Sequence, residues 1–322
     1  MRKSDQDRIE VLKTCKIFIG GKFPRTESGR YYVIKDRNGQ PLANMCRSSR
    51  KDYRDAVVAA RNAFEGWSSV SAMNRGQILY RIAEMMEERK EQFTGEIVAQ
   101  GENETRRKRD KGKTRQGESR WLSGGIGRKR ENQVTKDAVR EVEQAIDRVV
   151  YYAGWCDKFQ QIFSTVNPVA SPHFNFSRPE PMGVVAVIAS EEPAMLGLVS
   201  MIAPVIAGGN TCVVLASETK PLTAVSFSEV IHTSDVPGGV INILTGLKSE
   251  LYGHFSSHMD VNAVIFCGND NKIISEIRQN GSVNVKRAII HKNIRWEDNS
   301  NQNPYLIKDT MEIKTTWHPV GV

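Results

Sequence analysis

The sequence predicts an α/β protein built on a Rossmann-like, doubly wound parallel sheet. The first observation behind this prediction is the continuous apolar run from Gly183 to Ala189, which is typical of a strand buried on both faces. The second is that similar runs alternate with helical patterns from 183 to 290. Because parallel strands need a crossover between them, this alternation indicates a parallel sheet with helices on both faces.

The elements of this sheet follow one another in a regular order. A helical run from Ala194 to Ala207 ends at Gly208-Gly209, where glycine favours helix termination. A further helix is expected near 222–231. The remaining strands are expected at 211–215, 240–244, 261–266 and 285–290.

The residues outside the sheet predict short strands and amphipathic helices. Lys16–Phe23 reads as two short strands joined by a Gly-Gly turn. Apolar residues at helical spacing predict one helix over 52–64 and a longer helix that reaches Phe93, and this spacing resumes near Thr135. Near the end of the chain, Met311–Trp317 alternates as a single edge strand does.

Most of the formal net charge of +8 comes from residues 102–132. This segment is rich in Lys and Arg, has few apolar residues and shows no periodicity, so burial cannot offset the entropy lost by ordering it. We therefore predict a basic, disordered insertion. It divides the chain into strands and helices at 1–101, the insertion at 102–132, the sheet domain at 133–290 and a tail at 291–322.

Composition and termini indicate a cytoplasmic protein without a membrane partner. No apolar run reaches bilayer-spanning length, and the first residues lack the apolar stretch of a signal peptide. The five cysteines are scattered and form no CxxC pair, which is typical of a reduced compartment.

Several short motifs resemble the aldehyde dehydrogenase superfamily and occur in the family's order. They are Phe18–Lys22, Ala63–Trp67, Arg75–Leu79, Tyr151–Lys158, Pro179–Val184, Ala203–Thr211 and Val236–Gly246. The resemblance implies a coenzyme domain that binds NAD or NADP. It also implies that the chain corresponds to a truncated member, which keeps this domain and lacks the domain that carries the catalytic cysteine.

The resemblance further implies where catalytic groups would lie. Glu192 stands at the position of the family's oxyanion-stabilising asparagine, where a carboxylate would repel negative charge. His291 stands at the position of the glutamate general base, and histidine can accept a proton near neutral pH. No cysteine follows Cys267, so the thiolate that would add to an aldehyde has no counterpart.

The positions implied for cofactor contact are also altered. Leu215 replaces the lysine that holds the adenosine ribose, and the phosphate-binding loop has Asn269 where the family has serine. The cofactor-binding residues that the resemblance implies are Glu218, Gly239, Gly246, Gly268 and Asn269. We expect these changes to weaken cofactor binding in the family manner.

Both terminal strands are similar to parts of the family's oligomerisation element. Met311–Trp317 is similar to its closing strand and Ile17–Phe23 to its other part. Unpaired strand edges invite a further strand. We therefore expect a homo-oligomer, or a hetero-oligomer with a complete aldehyde dehydrogenase.

Three other features have both a functional and a structural interpretation. Cys267 could be a displaced nucleophile beside a helix start, or a small residue at a strand end. His254 and His258 stand four residues apart but lack a clear third ligand, so we predict no metal site. Glu191 and Glu192 could be an acid–base pair, although acids at a helix start are the simpler interpretation.

The sequence leaves three functions to be distinguished. The first is a catalytically impaired subunit of the family with a structural or regulatory role. The second is an NAD(P)-dependent oxidoreductase acting on aldehydes, with the nucleophile supplied by a partner chain. The third is binding of nucleic acid or an acidic partner by Arg106–Arg109 and Arg128–Arg130. A solvated insertion is favoured over nucleic-acid binding, because Trp121 is the one aromatic side chain in 102–132 on which a base could stack.

Overall fold

The structure, a computed structural model, describes residues 11–101 and 125–321. Its strands are β1 (Thr14–Cys15), β2 (Tyr31–Lys35), β3 (Pro41–Cys46), β4 (Thr165–Asn167), β5 (His173–Pro181), β6 (Val184–Ile188), β7 (Thr211–Leu215), β8 (Ile241–Leu244), β9 (Ala263–Cys267), β10 (Arg287–His291) and β11 (Met311–Pro319). Its helices are α1 (Arg50–Ser69), α2 (Ala72–Glu88), α3 (Lys90–Ala99), α4 (Gly125–Ala153), α5 (Phe159–Phe163), α6 (Ala194–Ala207), α7 (Leu222–His232), α8 (Lys248–Ser257), α9 (Asn271–Ser282) and α10 (Tyr305–Lys308).

The centre of the fold is a five-stranded parallel sheet in the order β10-β9-β6-β7-β8. All residues of β6, β7, β8 and β9 are buried, as their continuous apolar sequences predict. The chain proceeds from β6 to β7 and β8 on one side and then returns to place β9 on the other. The predicted doubly wound parallel sheet is therefore confirmed, and its strand order reverses between β6 and β9.

Alternate side chains of the sheet enter two separate apolar layers. Val185 and Val187 of β6 pack with α2, α4, α6 and α7. Val184 of the same strand points to the opposite layer, with α1, α8 and α9. In that layer Phe255 stacks on Tyr53 with ring centroids 4.1 Å apart. Both faces of the sheet are thus covered, which explains why its strands carry apolar residues at every position.

Helix α6 is buried along its whole length, so its apolar composition reflects a place in the core. No helix in the described part of the chain combines the length and the apolar character needed to cross a bilayer.

Two helix boundaries differ from the predictions. The longer helix predicted to reach Phe93 is instead two helices, α2 and α3, which are separated at Arg89. Helix α4 begins at Gly125, before the predicted start near Thr135, so the backbone of 125–132 is helical where disorder was expected. The rest of the predicted insertion, residues 102–124, lies outside the described residues.

Two three-stranded sheets accompany the central one, in the orders β1-β3-β2 and β11-β5-β4. Ile17–Phe23, which was predicted to be similar to part of an oligomerisation element, lies at the edge of the central sheet in this chain. Phe18 bridges Ile243 at the edge of the central sheet, and Ile19 bridges Lys22 across the Gly-Gly turn. Because the side chain of Phe18 is buried there, apolar burial fixes this segment against β8 and away from β11.

Candidate active site at the carboxyl edge of the sheet

The loops that follow the parallel strands meet at the carboxyl edge of the central sheet. In a doubly wound sheet, ligands bind in the crevice outside this edge, where the strand order reverses. The predicted site residues that lie at this edge are Glu192, Glu218, Gly246, Gly268, Asn269 and His291.

Gly239 does not belong to this edge, because it precedes β8 at the amino end of the strand. Its φ is +98°, and a Cβ there would lie 2.5 Å from the carbonyl oxygen of Ala59 in α1. A glycine is therefore needed for the packing of α1 on the sheet. Gly246 has a comparable packing role at the carboxyl edge, since its Cβ would lie 3.2 Å from the backbone nitrogen of Ser48.

An ion pair that the sequence did not predict occupies the middle of the edge. A Glu191 carboxylate oxygen lies 2.5 Å from Nζ of Lys248, the first residue of α8. Nζ of Lys248 also donates to the Ala189 carbonyl oxygen at 2.5 Å. The Glu191 carboxylate accepts further hydrogen bonds from Ser217 Oγ at 2.7 Å and Thr219 Oγ1 at 2.8 Å. The loops after β6 and β7 are thus tied to the start of α8.

These contacts determine the ionisation of Glu191. Burial raises the pKa of its carboxyl, but Lys248 and the neighbouring hydrogen-bond donors outweigh burial and lower the pKa to about 2. The group is therefore ionised at neutral pH. Glu218, the predicted ribose partner, accepts a hydrogen bond from the backbone N–H of Lys248 at 2.9 Å. In this arrangement Glu218 caps α8.

The loop after β9 is also bound within the chain. Asp270 is the N-cap of α9, and its Oδ1 accepts from the backbone N–H groups of Lys272 at 2.8 Å and Ile273 at 3.3 Å. Asn269 Oδ1 accepts from the backbone N–H of Asn293 at 2.9 Å. The polar side chains of the predicted phosphate-binding loop therefore accept hydrogen bonds from α9 and from the segment after β10.

A third acidic side chain caps α6. Oε1 of Glu141, from α4, accepts from the backbone N–H groups of Met195 at 2.9 Å and Leu196 at 3.3 Å. Burial raises the pKa of Glu141, and the two N–H groups oppose that shift. The start of the helix that follows the first strand of the sheet is therefore already occupied.

Glu192, at the predicted oxyanion position, is exposed and pairs with Nζ of Lys220 at 2.5 Å. It lines a pocket of about 180 Å³ that is also lined by Glu141 and Glu297. Lys220 lines the same pocket, so three carboxyl groups surround one ammonium group, and this excess of acidic side chains disfavours a developing negative charge.

His291, at the predicted base position, lies in a different pocket, with Lys292 and Arg295 in its lining. Its ring packs edge-on against Trp296 with centroids 5.5 Å apart. Burial lowers the pKa of His291, so its imidazole is neutral near pH 7. The structure does not bring Glu192 and His291 into one pocket.

A buried cation fixes the segment that follows β10. Arg148 of α4 is 2% exposed and donates to the carbonyl oxygen of Trp296 at 2.8 Å, to Gln302 Oε1 at 3.0 Å and to Ser200 Oγ at 2.8 Å. Residues 292–310 therefore run directly from β10 to β11 and are anchored on α4 and α6.

All five cysteines are free and buried. Cys267, which could have been a displaced nucleophile, ends β9 and is 7% exposed. Burial raises its pKa in spite of the nearby Trp296 indole and Lys248 ammonium groups. A thiol that stays protonated is a poor nucleophile, so the geometry favours the structural interpretation of Cys267.

Within the ranges that the structure describes, no group of three or more His, Cys, Asp or Glu side chains is arranged to hold a metal ion. His254 lies in α8 and His258 follows it as the C-cap. Burial lowers the pKa of both imidazoles.

Sequence reasoning missed Glu141 and Lys248. Glu141 gave no local signal, because the backbone N–H of Met195 that it binds lies 54 residues away. The sequence did contain a signal for Lys248. It comes directly after Gly246-Leu247, where the chain leaves a strand and begins a helix at the carboxyl edge.

The backbone N–H groups at the helix starts of this edge are the groups to which a dinucleotide would bind. NAD and NADP place a pyrophosphate on free N–H groups at a helix start. Glu141 and Asp270 each bind two such groups, at α6 and α9, and Glu218 binds one at α8. The described residues do not fit a dinucleotide held in that manner.

Comparison with known sequences identifies a family. A profile described as "Aldehyde dehydrogenase family" matches residues 23–115 and 126–291. The match thus includes 102–115 and 126–132, which belong to the predicted basic insertion, and leaves 116–125 unmatched.

Curated relatives include cytosolic 10-formyltetrahydrofolate dehydrogenase of Xenopus tropicalis, which is 31% identical over 79% of this chain and 25% of that protein. The human mitochondrial 10-formyltetrahydrofolate dehydrogenase is 29% identical over 81% of this chain and 26% of its own length. The chain spans about a quarter of the length of these relatives.

Solved structures share the fold. An aldehyde dehydrogenase from Bacillus cereus superimposes with a TM-score of 0.73 at 22% identity, covering 87% of this chain and 51% of that one. Aldehyde dehydrogenase C from Pseudomonas syringae, solved with NAD+ and octanal, gives 0.72 at 25% identity, covering 88% and 51%.

Proposed function

The chain belongs to the aldehyde dehydrogenase family, and we propose that it is catalytically impaired on its own and acts as a structural or regulatory subunit. The observation that carries the proposal is the state of the thiols. Aldehyde oxidation in this family begins with addition of a thiolate to the carbonyl carbon. All five cysteines are buried, and the pKa of Cys267, at the end of β9, is raised by burial.

The other catalytic positions support the same conclusion. Glu192 is a carboxylate where an oxyanion would need a hydrogen-bond donor, and it already pairs with Lys220, which lines the same pocket. His291 lies outside that pocket and packs against Trp296, so a base there has no oxyanion site beside it. The direct connection of β10 to β11 by residues 292–310 is consistent with a chain that omits the catalytic domain at this point.

The sheet β11-β5-β4 supports a role in assembly. β11 is its edge strand, and β5 is its neighbour among the described residues. Two copies of β11 placed antiparallel about Thr315 would set Ile313 opposite Trp317 and Glu312 opposite His318. Both are favourable cross-strand pairs. Ile313 and Trp317 are about half exposed, so either a second copy or a complete aldehyde dehydrogenase could cover them.

Co-expression with a complete aldehyde dehydrogenase tests this role. We expect a shared peak in size-exclusion chromatography and a changed rate of aldehyde oxidation by the partner. Ile313→Lys with Trp317→Lys should abolish assembly, whereas Tyr31→Lys on the exposed β2 should not. A chain that stays monomeric at micromolar concentration, alone and with the complete enzyme, would contradict the proposal.

One alternative is favoured by the completeness of the five-stranded sheet and its switch point. In this alternative the chain is an NAD(P)-dependent oxidoreductase whose nucleophile comes from a partner chain. Activity of the assembly would then depend on the carboxyl edge of this chain. The substitution His291→Ala would lower that activity under the alternative and leave it unchanged under the proposed role.

A further inference from the structure

We infer that the coenzyme crevice is closed from within, because the chain's own acidic side chains hold the positions where the phosphates and ribose of NAD or NADP would bind. This inference concerns cofactor exclusion and does not depend on the subunit role proposed above. It follows from three helix starts and one ion pair at the carboxyl edge.

The three helix starts share one arrangement. Each of α6, α8 and α9 follows a strand of the central sheet, and each has its first backbone N–H groups directed towards the crevice edge. Such groups, with the helix dipole, attract an anion. In this chain the acid belongs to the protein itself. Backbone N–H groups donate to Glu141 at α6, to Glu218 at α8 and to Asp270 at α9.

An acid in this position excludes a phosphate in two ways. It occupies N–H donors that a phosphate would otherwise need, two each at α6 and α9 and one at α8. It also introduces a like charge at hydrogen-bonding distance from any phosphate oxygen that approached the same donors. Asp270 does both at α9, because its Oδ1 binds two successive N–H groups. The interior carboxylate therefore replaces the ligand that the helix start would attract.

The pair formed by Glu191 and Lys248 adds a further internal contact at this edge. It joins the loop after β6 to the start of α8, which follows β8. Lys248 is the positive group at this point, and its charge is already balanced by Glu191 at 2.5 Å. Its side chain is 15% exposed, so little of the ammonium group is open to an incoming phosphate. Ser217 and Thr219 hold the carboxylate in place.

Cofactor titration of the full chain tests the inference. The melting temperature of the wild-type protein should stay constant up to millimolar NAD or NADP, because a ligand raises it only if it binds the folded state. A saturable rise with either cofactor in the wild-type protein would overturn the inference. It would leave the proposed impairment standing, since that rests on the thiols and not on the cofactor.

Two variants test whether the acids are the cause. Glu191→Ser with Asp270→Ser removes both charges, and serine keeps a cap on α9. We expect pyrophosphate or NAD to bind this variant at least about tenfold more tightly than the wild type, because two repulsive charges are gone. The matched control is Asp36→Ser. It removes a carboxylate that accepts hydrogen bonds from two backbone N–H groups in an exposed turn, far in the sequence from Glu191 and Asp270.

The affinities of the double variant and of the control distinguish three outcomes. A gain in the double variant and none in Asp36→Ser supports closure by the edge acids. A double variant that melts cooperatively yet gains no affinity overturns the assignment to these acids. Equal gains in the double variant and the control would show a general effect of net charge, which also overturns it.

Discussion

The interior of the central sheet and its carboxyl edge differ in how their side chains are used. Inside the sheet, β6 to β9 are apolar and buried at every position, as a parallel sheet covered on both faces requires. At the edge, the acidic residues face helix starts and a lysine of the same chain. The requirements of the fold and those of catalysis are thus separable, and the buried sheet meets the first set whatever the edge does.

The largest expected effect lies in the interior. Phe255→Ala removes a ring that is fully buried and stacked on Tyr53. We expect it to lower the free energy of unfolding by about 3–5 kcal/mol, since the ring leaves a cavity. Denaturant unfolding measures the change. Met259→Ala, at a 69% exposed site nearby, should change stability by less than about 0.5 kcal/mol. Similar losses for the two variants would contradict the described core.

The second prediction concerns the junction between interior and edge. Arg148→Met leaves the carbonyl oxygen of Trp296 and Gln302 Oε1 without their buried donor. We expect a loss of about 2 kcal/mol and faster proteolysis within 292–310. Arg54→Met, at an exposed residue of α1, is the control. Unchanged proteolysis in the Arg148 variant would show that this segment is fixed by other contacts.

The third prediction concerns the edge itself and depends on pH. Glu191 has a pKa lowered from 4.5 to about 2, so its stabilising contribution is present above pH 4.5 and is lost as the pH falls towards 2. Lys248→Ala should cost about 1–2 kcal/mol at pH 7, a figure reduced for the 39% exposure of Glu191. The difference between variant and wild type should shrink below pH 4.5.

Lys314→Ala provides the control for this pair. It breaks the pair with Glu180, and we expect a smaller loss of stability than for Lys248→Ala because Lys314 is exposed. A Lys248 variant whose stability difference from the wild type stays constant from pH 7 to pH 3 would refute the assigned ionisation of Glu191.

The smallest effect is expected at the start of α1, beside the end of β8. Ser49 and Asp52 form a reciprocal capping box there. Ser49→Ala should cost about 1 kcal/mol, measured by thermal unfolding. Ser71→Ala, which removes a cap without the reciprocal bond, should cost less. The reverse order would show that the reciprocal bond adds nothing.

The predictability of the two regions differs for a physical reason. Apolar runs such as Thr211–Leu215 and the helix Ala194–Ala207 were located to the residue, because burial on all sides leaves a continuous pattern. β5 was missed, since Pro179 and Pro181 argue against a strand. They are tolerated because at these residues β5 pairs with β11 and not with β4.

The edge was only partly predictable. The positions of Glu192, Glu218, Asn269 and His291 followed from the resemblance, and the structure places them at the carboxyl edge. Their partners did not follow, because a contact such as that of Glu141 with Met195 depends on how α4 packs against α6. Local sequence patterns carry no information on such packing.

Aldehyde oxidation by the purified 322-residue chain tests the central claim most directly. The assay would follow the reduction of NAD or NADP over a panel of short, long and aromatic aldehydes. We expect no reduction above the rate without protein. Turnover that depends on both aldehyde and cofactor, and that is lost in Cys267→Ser, would contradict the claim that this chain keeps the fold without its chemistry.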